Sequence, residues 1–284
     1  TTEIYTLSLH DALPICGLFA DWFVPETHGV ANYAEPRGVG LRIDGLSKAF
    51  DGRAVLRDIH LDIAAGETFS IIGPSGTGKS VLLKHIVGLI EPDAGSIHID
   101  GEDIFAADAG VSGYRYSMVF QTSALFNSLT VAENVGLWLR EKRVCPEARI
   151  RAIVSEKLAL VGLEGHEEKA ISELSGGMKK RVAIARSLAM NPDLILYDEP
   201  TAELDPITSD ELAQVIMDLK AKVNLHTVIV THDLSFALYL SDRIAMIDGG
   251  EIVAVGTPDE IKKSQNPVVR KFLYTNTKGI KGDF

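Results

Sequence analysis

A glycine-rich segment at residues 73–80 has the residue types and the spacing of a site for phosphate groups. It lies between an apolar run, residues 69–72, and a helical pattern that begins at Val81. In such a turn the backbone N–H groups converge on phosphate oxygens, and the following helix points its positive end at them. The side chain of Lys79 is expected to reach the β- and γ-phosphates of a nucleotide, and the Ser80 hydroxyl to bind Mg²⁺. The predicted phosphate-binding residues are Gly73, Ser75, Gly76, Thr77, Gly78, Lys79, Ser80 and Val81.

Three polar side chains follow two further apolar runs, at the point where each run ends. Asp198 and Glu199 follow residues 194–197, and His232 follows residues 227–231. Apolar runs of this length indicate buried parallel strands, whose carboxyl ends form the ligand-binding edge of an open α/β sheet. We expect Asp198 to hold Mg²⁺ and Glu199 to polarise an attacking water molecule. A histidine considered alone is more often structural, but as a third group at this edge His232 is predicted to contact the γ-phosphate.

A Ser-Gly-Gly sequence at residues 175–177 opens another helical pattern. The apolar positions of its face are Val182, Ile184, Ala185 and Leu188. Such a sequence can bind an anion at the helix N-terminus, or it can be an ordinary N-cap after a flexible loop, and alone it favours the N-cap. In its order between the phosphate loop and the two acids, it resembles the signature of the ATP-binding cassette family, over about residues 41–276.

The resemblance implies that the active unit is a homodimer. In this family the signature closes on the ATP that the partner subunit holds, which assigns a role in trans to Ser175, Gly176 and Gly177. It further implies that Phe50, which alone would be interpreted as a core aromatic, stacks on adenine. Asp205 then lies in the loop that crosses the dimer interface.

The same resemblance supplies a catalytic and a metal-binding set. Gln121 matches the glutamine that contacts Mg²⁺ and responds to a membrane partner, and His232 matches the switch histidine. The implied catalytic residues are therefore Glu199, His232 and Gln121. The implied ligands of Mg²⁺ are Ser80, Gln121 and Asp198, and the implied substrate is ATP.

Two positions depart from the commonest form of the family. Met178 replaces the usual glutamine of the signature, and Glu203 replaces a small residue before the Leu204-Asp205 pair. Neither change removes a phosphate or metal ligand. Glu203 adds charge near the interface that closes on dimerisation.

The composition excludes two classes of protein. The chain has 28 Lys and Arg against 39 Asp and Glu, with a formal net charge of −11, so it lacks the basic surface of nucleic-acid-binding proteins. Its 2 cysteines, Cys16 and Cys145, exclude a disulfide framework and fit a reducing compartment. No run reaches the roughly 18 apolar residues of a membrane span, so a separate membrane protein is expected to carry any cargo across a bilayer.

These patterns predict an α/β fold, a P-loop NTPase (RecA-like) core with an antiparallel β-subdomain and an α-helical signature subdomain. Period-two alternation at residues 59–63 and 97–101 indicates the antiparallel strands. A helical pattern after Pro146 belongs to the signature subdomain, expected at about residues 122–190. Two apolar runs joined by residues 248–250 predict a β-hairpin.

The first 15 residues, TTEIYTLSLHDALPI, resemble the translation of a sequencing-library adapter, codon by codon. We therefore expect residues 1–15 to be an artefact with no part in the fold, the alternative being a natural leader. A poorly ordered extension is expected at residues 16–40, the ATP-binding domain at 41–276 and a tail at 277–284.

Three stretches are similar to the Mla and Mce lipid-transport ATPases, namely residues 78–84, 121–135 and 266–273. In that family the cassette lies at the cytoplasmic face of the inner membrane and pairs with an integral permease. The complex moves phospholipid between the membranes of a diderm envelope, in some cases with an Mce-domain lipid-binding protein. Leu125 and Phe126 then lie where a coupling helix would dock, although buried core is an equal alternative.

Two other functions compete with phospholipid transport. One is a cassette that serves an importer of a polar solute. The other is a soluble cassette protein of translation, DNA repair or cofactor assembly. The spacing from Lys79 to Ser175 disfavours the soluble class, because it leaves no room for a long coiled coil or a second cassette.

Overall fold

The computed structural model describes most of the chain after its first 35 residues. The described residues are 36, 38–106, 114–223 and 225–277. The predicted adapter segment, most of the predicted extension and residues 278–284 lie outside the described residues.

The fold begins slightly earlier than the predicted boundary at residue 41. Val39 is fully buried, and the backbone N–H of Gly40 donates to Asp100 Oδ1 at 2.8 Å. The last residues of the predicted extension therefore pack against the domain just before the first strand begins.

A six-stranded sheet forms the centre of the molecule. Its strands are β3 (Thr68–Ile72), β6 (Tyr116–Val119), β7 (Leu194–Asp198), β8 (His226–Thr231), β9 (Arg243–Asp248) and β10 (Glu251–Gly256). Their order is β10-β9-β3-β8-β7-β6, and all neighbours are parallel except β10, which pairs antiparallel with β9. The β9–β10 pair is the predicted hairpin. The carboxyl ends of β3, β7 and β8 meet at one edge.

A smaller antiparallel sheet covers one side. It contains β1 (Leu41–Phe50), β2 (Arg53–Ile63), β4 (Ala94–Ile99) and β5 (Glu102–Asp103), in the order β2-β1-β4-β5. Both predicted period-two segments lie in this sheet, within β2 and at the end of β4. Phe50 ends β1, as expected for an aromatic carried by the antiparallel strands.

The helices flank the central sheet. They are α1 (Lys79–Ile86), α2 (Val131–Glu141), α3 (Glu147–Leu160), α4 (Gly176–Ala189), α5 (Pro206–Lys222), α6 (Leu234–Leu240), α7 (Pro258–Lys262) and α8 (Pro267–Thr277). Within the described ranges, no helix is both long and apolar enough to cross a bilayer. Helices α2, α3 and α4 pack on one another and form the helical region expected around the signature.

The central strands are buried on both faces, which explains their nearly continuous apolar sequences. In β7, Leu194 and Leu196 face the core shared with the small sheet and α1. Ile195 and Tyr197 alternate with them and face the core shared with α2–α5. One strand thus joins the two layers and delivers its last residue, Asp198, to the edge. The α/β fold class predicted from the sequence is confirmed.

Candidate functional site

The phosphate loop turns tightly between β3 and α1. Gly73, Gly76 and Gly78 have φ angles of 156°, 80° and 99°. A Cβ on Gly73 would lie 2.2 Å from the carbonyl oxygen of Ile247, and one on Gly78 would lie 2.8 Å from Leu56 Cδ2. A side chain is excluded at both positions by contact and by backbone conformation. The loop therefore passes close to β9 and β2 and leads directly into the N-terminus of α1.

Lys79 is held inside this loop. Its Nζ donates to the carbonyl oxygens of Gly73 at 2.9 Å and Pro74 at 3.0 Å, and its side chain is 5% exposed. The same Nζ lies 3.5 Å from Glu199 Oε1. A buried ammonium group with these partners is held at the N-terminus of α1, where it can bind phosphate oxygens.

Ser80 and Asp198 meet across 118 residues of sequence. The Ser80 hydroxyl donates to Asp198 Oδ1 at 2.8 Å. Burial raises the pKa of Asp198 above its ordinary value and the Glu199 carboxylate raises it further, whereas the Ser80 hydrogen bond and the charges of Lys84 and Lys79 oppose the shift. A cation beside this carboxylate would offset the cost of its buried charge.

The donors at this point fit Mg²⁺. Mg²⁺ prefers oxygen ligands and is usually held by one or two carboxylates together with substrate phosphates, not by a cage of side chains. Ser80 and Asp198 provide a hydroxyl and a carboxylate. Among the described residues, no cluster of three or more His, Cys, Asp or Glu side chains could hold a metal alone. Together with the phosphates of a nucleotide, these two residues would complete such a site.

Glu199 is fixed on both sides of its carboxylate. Its Oε1 faces Lys79, while its Oε2 accepts the backbone N–H of His232 at 3.1 Å and is 2.8 Å from His232 Nδ1. The backbone of Glu199 is left-handed, with φ of 48°, and its N–H donates to the carbonyl of Val230 at 2.8 Å. A non-glycine residue in this conformation costs about 1–3 kcal/mol, and such strain is concentrated at functional sites. Nothing in the residue pattern around Glu199 predicts this conformation.

These residues surround a cavity of about 340 Å³ at the carboxyl edge of the central sheet. Nine of the lining residues are predicted site residues, namely Ser75, Gly76, Gly78, Lys79, Ser80, Val81, Gln121, Glu199 and His232. The tenth, Val55, was missed, because one residue of an alternating strand carries no local sign of a ligand contact. Asp198 is not a lining residue, but it accepts a hydrogen bond from Ser80, which is one. The charge and volume suit the phosphates of a nucleotide.

Other predicted site residues do not line this cavity. Phe50 is 40% exposed and lies under Lys48, whose Nζ is 5.7 Å from the ring centroid. Ser175 caps α4 by accepting the N–H of Met178 at 3.3 Å. Asp205 caps α5. Their predicted roles require a ligand that extends beyond the cavity or a second subunit.

The signature and the loop around Asp205 contact each other within the chain. A Cβ on Gly177 would lie 2.4 Å from Thr208 Cγ2. The Thr208 hydroxyl donates to Asp205 Oδ2 at 2.6 Å, and this bond lowers the pKa of Asp205. Ser175 and Gly176 stay exposed beside this contact. They form a polar surface at an N-terminal helix end, separate from the cavity.

Comparison with known proteins identifies relatives over most of the chain. The chain is 43% identical over 241 residues to the probable ribonucleotide transport ATP-binding protein mkl of Mycobacterium bovis, which covers 84% of this chain and 67% of the relative. It is 41% identical over 247 residues to the Arabidopsis thaliana protein TRIGALACTOSYLDIACYLGLYCEROL 3, chloroplastic, covering 79% and 70%. It is 41% identical over 239 residues to a Bacillus cereus sulfate/thiosulfate import ATP-binding protein, covering 83% and 66%.

Solved structures show the same architecture. The protein cbiO1 from Clostridium perfringens, part of the ABC transporter complex cbiONQ, aligns with a TM-score of 0.73 and 31% identity, over 81% of this chain and 93% of its own. The ATP-binding cassette MJ0796, in a dimeric post-hydrolysis state bound to ADP and Pi, aligns with a TM-score of 0.68 and 33% identity. The alignment covers 77% of this chain and 98% of that structure's chain. The ABC transporter family profile matches residues 56–202. The chain therefore belongs to the ABC transporter family, as an ATP-binding and ATP-hydrolysing cassette.

Proposed function

We propose that this cassette drives a phospholipid transporter of the Mla type, working through a separate membrane permease at the cytoplasmic face of a bacterial inner membrane. In this function it would help to maintain the lipid asymmetry of the outer membrane. The observation that carries the ATP-driven part is the position of Glu199 between Lys79 and His232 at the edge of the cavity. The lipid cargo is supported by the three stretches similar to lipid-transport ATPases and by the plant relative named after a glycerolipid.

Hydrolysis follows from the positions of these groups. The loop N–H groups and the Lys79 ammonium hold the β- and γ-phosphates, so that the γ-phosphorus faces the carboxylate of Glu199. Glu199 orients a water molecule and accepts its proton as the water oxygen bonds to phosphorus. The bond to the β-phosphate oxygen breaks, and ADP and phosphate leave. His232 contacts the Glu199 carboxylate through Nδ1, and we expect its other ring nitrogen to bind the γ-phosphate.

Mg²⁺ bound by Ser80 and Asp198, with Gln121 nearby, would neutralise charge on the β- and γ-phosphate oxygens. The protein residues fix the geometry independently of that charge. Ser80 and Asp198 are already joined by a hydrogen bond, and Asp198 is held at the end of a buried strand. This arrangement limits the reorganisation needed when nucleotide binds.

A second copy of the chain would complete the site. Ser175, Gly176 and Gly177 lie outside the cavity of their own chain, although Ser175 and Gly176 are exposed at the N-terminus of α4. Two subunits in head-to-tail contact would place this anion-binding end over the γ-phosphate of the partner. ATP would then join the subunits, and loss of the γ-phosphate would release them.

Import of a polar solute is the second candidate. It is supported by the relative named for sulfate and thiosulfate import, whose identity of 41% equals that of the plant protein. The two candidates share the ATP site and differ in the permease and the cargo. A soluble, non-transport cassette remains the third candidate.

Recovery of the tagged chain from native membranes tests the cargo. We expect a permease and bound phospholipid to copurify, and phospholipid to stimulate ATP hydrolysis by the complex in vesicles. A periplasmic solute-binding protein in place of phospholipid would favour the importer. Recovery without any membrane protein would contradict both transport functions.

A further inference from the structure

Two cations of α4, the buried Lys180 and the half-buried Arg186, hold the segment that follows β6. The ammonium group of Lys180, which is 4% exposed, donates to the carbonyl oxygen of Gln121. Arg186 Nη1 donates to the carbonyl of Ala124 at 2.7 Å, and Nη2 to that of Ser123 at 3.1 Å. Three backbone carbonyl groups of residues 121–124 are therefore hydrogen-bonded to side chains of α4. The side chain of Gln121 projects from the same segment and lines the cavity.

The fastened segment has a strained backbone. Ser123 and Ala124 are both left-handed, with φ angles of 61° and 45°. Two consecutive non-glycine residues keep this conformation only where the surroundings impose it. The two hydrogen bonds from Arg186 are accepted by the carbonyl groups of these two residues. They can therefore hold the left-handed conformation in place.

Both cations are at least partly removed from solvent, and this shifts their pKa values. Burial lowers the pKa of Arg186 to about 10. Burial also lowers the pKa of Lys180, while the carboxylates of Glu203 and Asp198 oppose the shift. The unusual Glu203 thus acts electrostatically on Lys180 from the loop before α5. The hydrogen bonds of each cation to backbone carbonyl groups offset part of this desolvation cost.

We propose that Lys180 and Arg186 are positioning residues for ATP hydrolysis: they fasten the backbone of residues 121–124 to α4, so that Gln121 is presented to the cavity and moves together with the signature helix. The proposal rests on the proposed role of Gln121 in the reaction. Neither cation touches the nucleotide site directly, and both act through the carbonyl groups that they bind.

The test is steady-state ATP hydrolysis by the full chain carrying Lys180→Met, which keeps the length of the side chain and removes the donor. We expect kcat to fall by about tenfold while KM for ATP changes less than twofold, because displacement of an aligned group costs rate whereas the phosphate loop is untouched. Lys180→Arg should restore at least half of kcat. Lys179→Met is the matched control on the next residue, and its kcat should stay within twofold of the parent chain.

A double-substitution cycle separates positioning from a general structural effect. If Lys180 acts through Gln121, then Lys180→Met added to Gln121→Ala should lower kcat by less than a further twofold. Arg186→Lys, which keeps the charge and offers fewer donors, should speed hydrogen exchange at residues 121–126 at least fivefold and leave exchange in β7 unchanged.

The failures can be told apart. If Gln121→Ala leaves kcat unchanged, the proposed role of Gln121 is wrong, and the positioning proposal falls with it. If Gln121→Ala is impaired but Lys180→Met keeps its kcat within twofold, or if the two losses multiply, the positioning proposal alone is overturned. The cargo does not enter the experiment, so its outcome leaves phospholipid transport to be decided by its own test.

Discussion

Replacing Glu199 by glutamine should stop hydrolysis while leaving the ATP site intact. The Glu199 carboxylate is 12% exposed, 3.5 Å from Lys79 Nζ and 2.8 Å from His232 Nδ1. Glutamine has the same shape and can still accept from the backbone N–H of His232, and Lys79 keeps its two bonds to loop carbonyls. We therefore expect the free energy of unfolding to change by about 1 kcal/mol or less, because the partner cation is not left without acceptors.

The loss of rate is much larger. A general base contributes about 10²- to 10⁴-fold, which corresponds to roughly 2.7–5.4 kcal/mol of activation free energy. ATP affinity should be unchanged or higher, because a negative charge beside the phosphates is removed. Phosphate release measures kcat, and equilibrium titration measures the Kd of ATP.

A matched substitution at an exposed acid provides the control. Glu211 pairs only loosely with Arg181, at 3.8 Å, and its side chain is 59% exposed. Glu211→Gln should therefore keep kcat within twofold of the parent. The reasoning is refuted if Glu199→Gln retains more than about a tenth of the parental kcat, or if it loses ATP binding together with turnover.

Three further predictions address the loop, its lysine and the core. Lys79→Ala should weaken ATP binding at least a hundredfold, since a buried ammonium beside the phosphates is lost; an unchanged Kd in calorimetry would contradict this. Gly78→Ala, at φ of 99° and with Leu56 in the way, should lower stability by about 1–3 kcal/mol and ATP affinity at least tenfold, and a variant with parental melting temperature and Kd would count against the geometry. Burial lowers the pKa of His226 to about 4, against 6.5 in the unfolded chain, so the unfolded state binds more protons between these values. Stability should fall by up to about 3 kcal/mol as pH drops from 6.5 to 4, and urea titrations of His226→Leu should lack this component.

Much of the fold follows from local patterns. The runs that became β7 and β8 are mostly apolar because both faces of these strands are buried, and their acidic or polar ends fall at the sheet edge. The predicted face of α4 is buried, namely Val182, Ile184, Ala185 and Leu188. The hydrophobic period and the composition are sufficient to predict an element that packs against a single core.

The contacts that shape the site are not visible in such patterns. The hydrogen bond from Ser80 to Asp198 and the bonds from Lys180 and Arg186 join residues far apart in sequence. Lys180 looks like an ordinary solvent-exposed lysine in sequence, yet it is buried. Its partner is a backbone carbonyl, which is the same in every residue type and leaves no trace in the sequence. The left-handed backbone of Glu199 is equally hidden, because nothing about a glutamate indicates it.

The sequence left two alternatives for Leu125 and Phe126, contact with a permease or burial in the core, and the structure partly decides between them. Both side chains are half-buried, and Leu125 packs against the core of α2–α5. Leu125 is thus at least in part a core residue. Docking of a permease at this segment stays a prediction.

Sedimentation velocity of the Glu199→Gln variant at saturating ATP and Mg²⁺ tests most directly whether two subunits share each nucleotide. Because the cavity of one chain lacks the signature residues, we expect a monomer without nucleotide or with ADP, and a stable dimer with ATP. The double variant Glu199→Gln/Ser175→Arg carries a bulky side chain at the exposed N-cap of α4 and should not form that dimer. A single monomeric species of Glu199→Gln with ATP bound would contradict the claim that two subunits share each nucleotide.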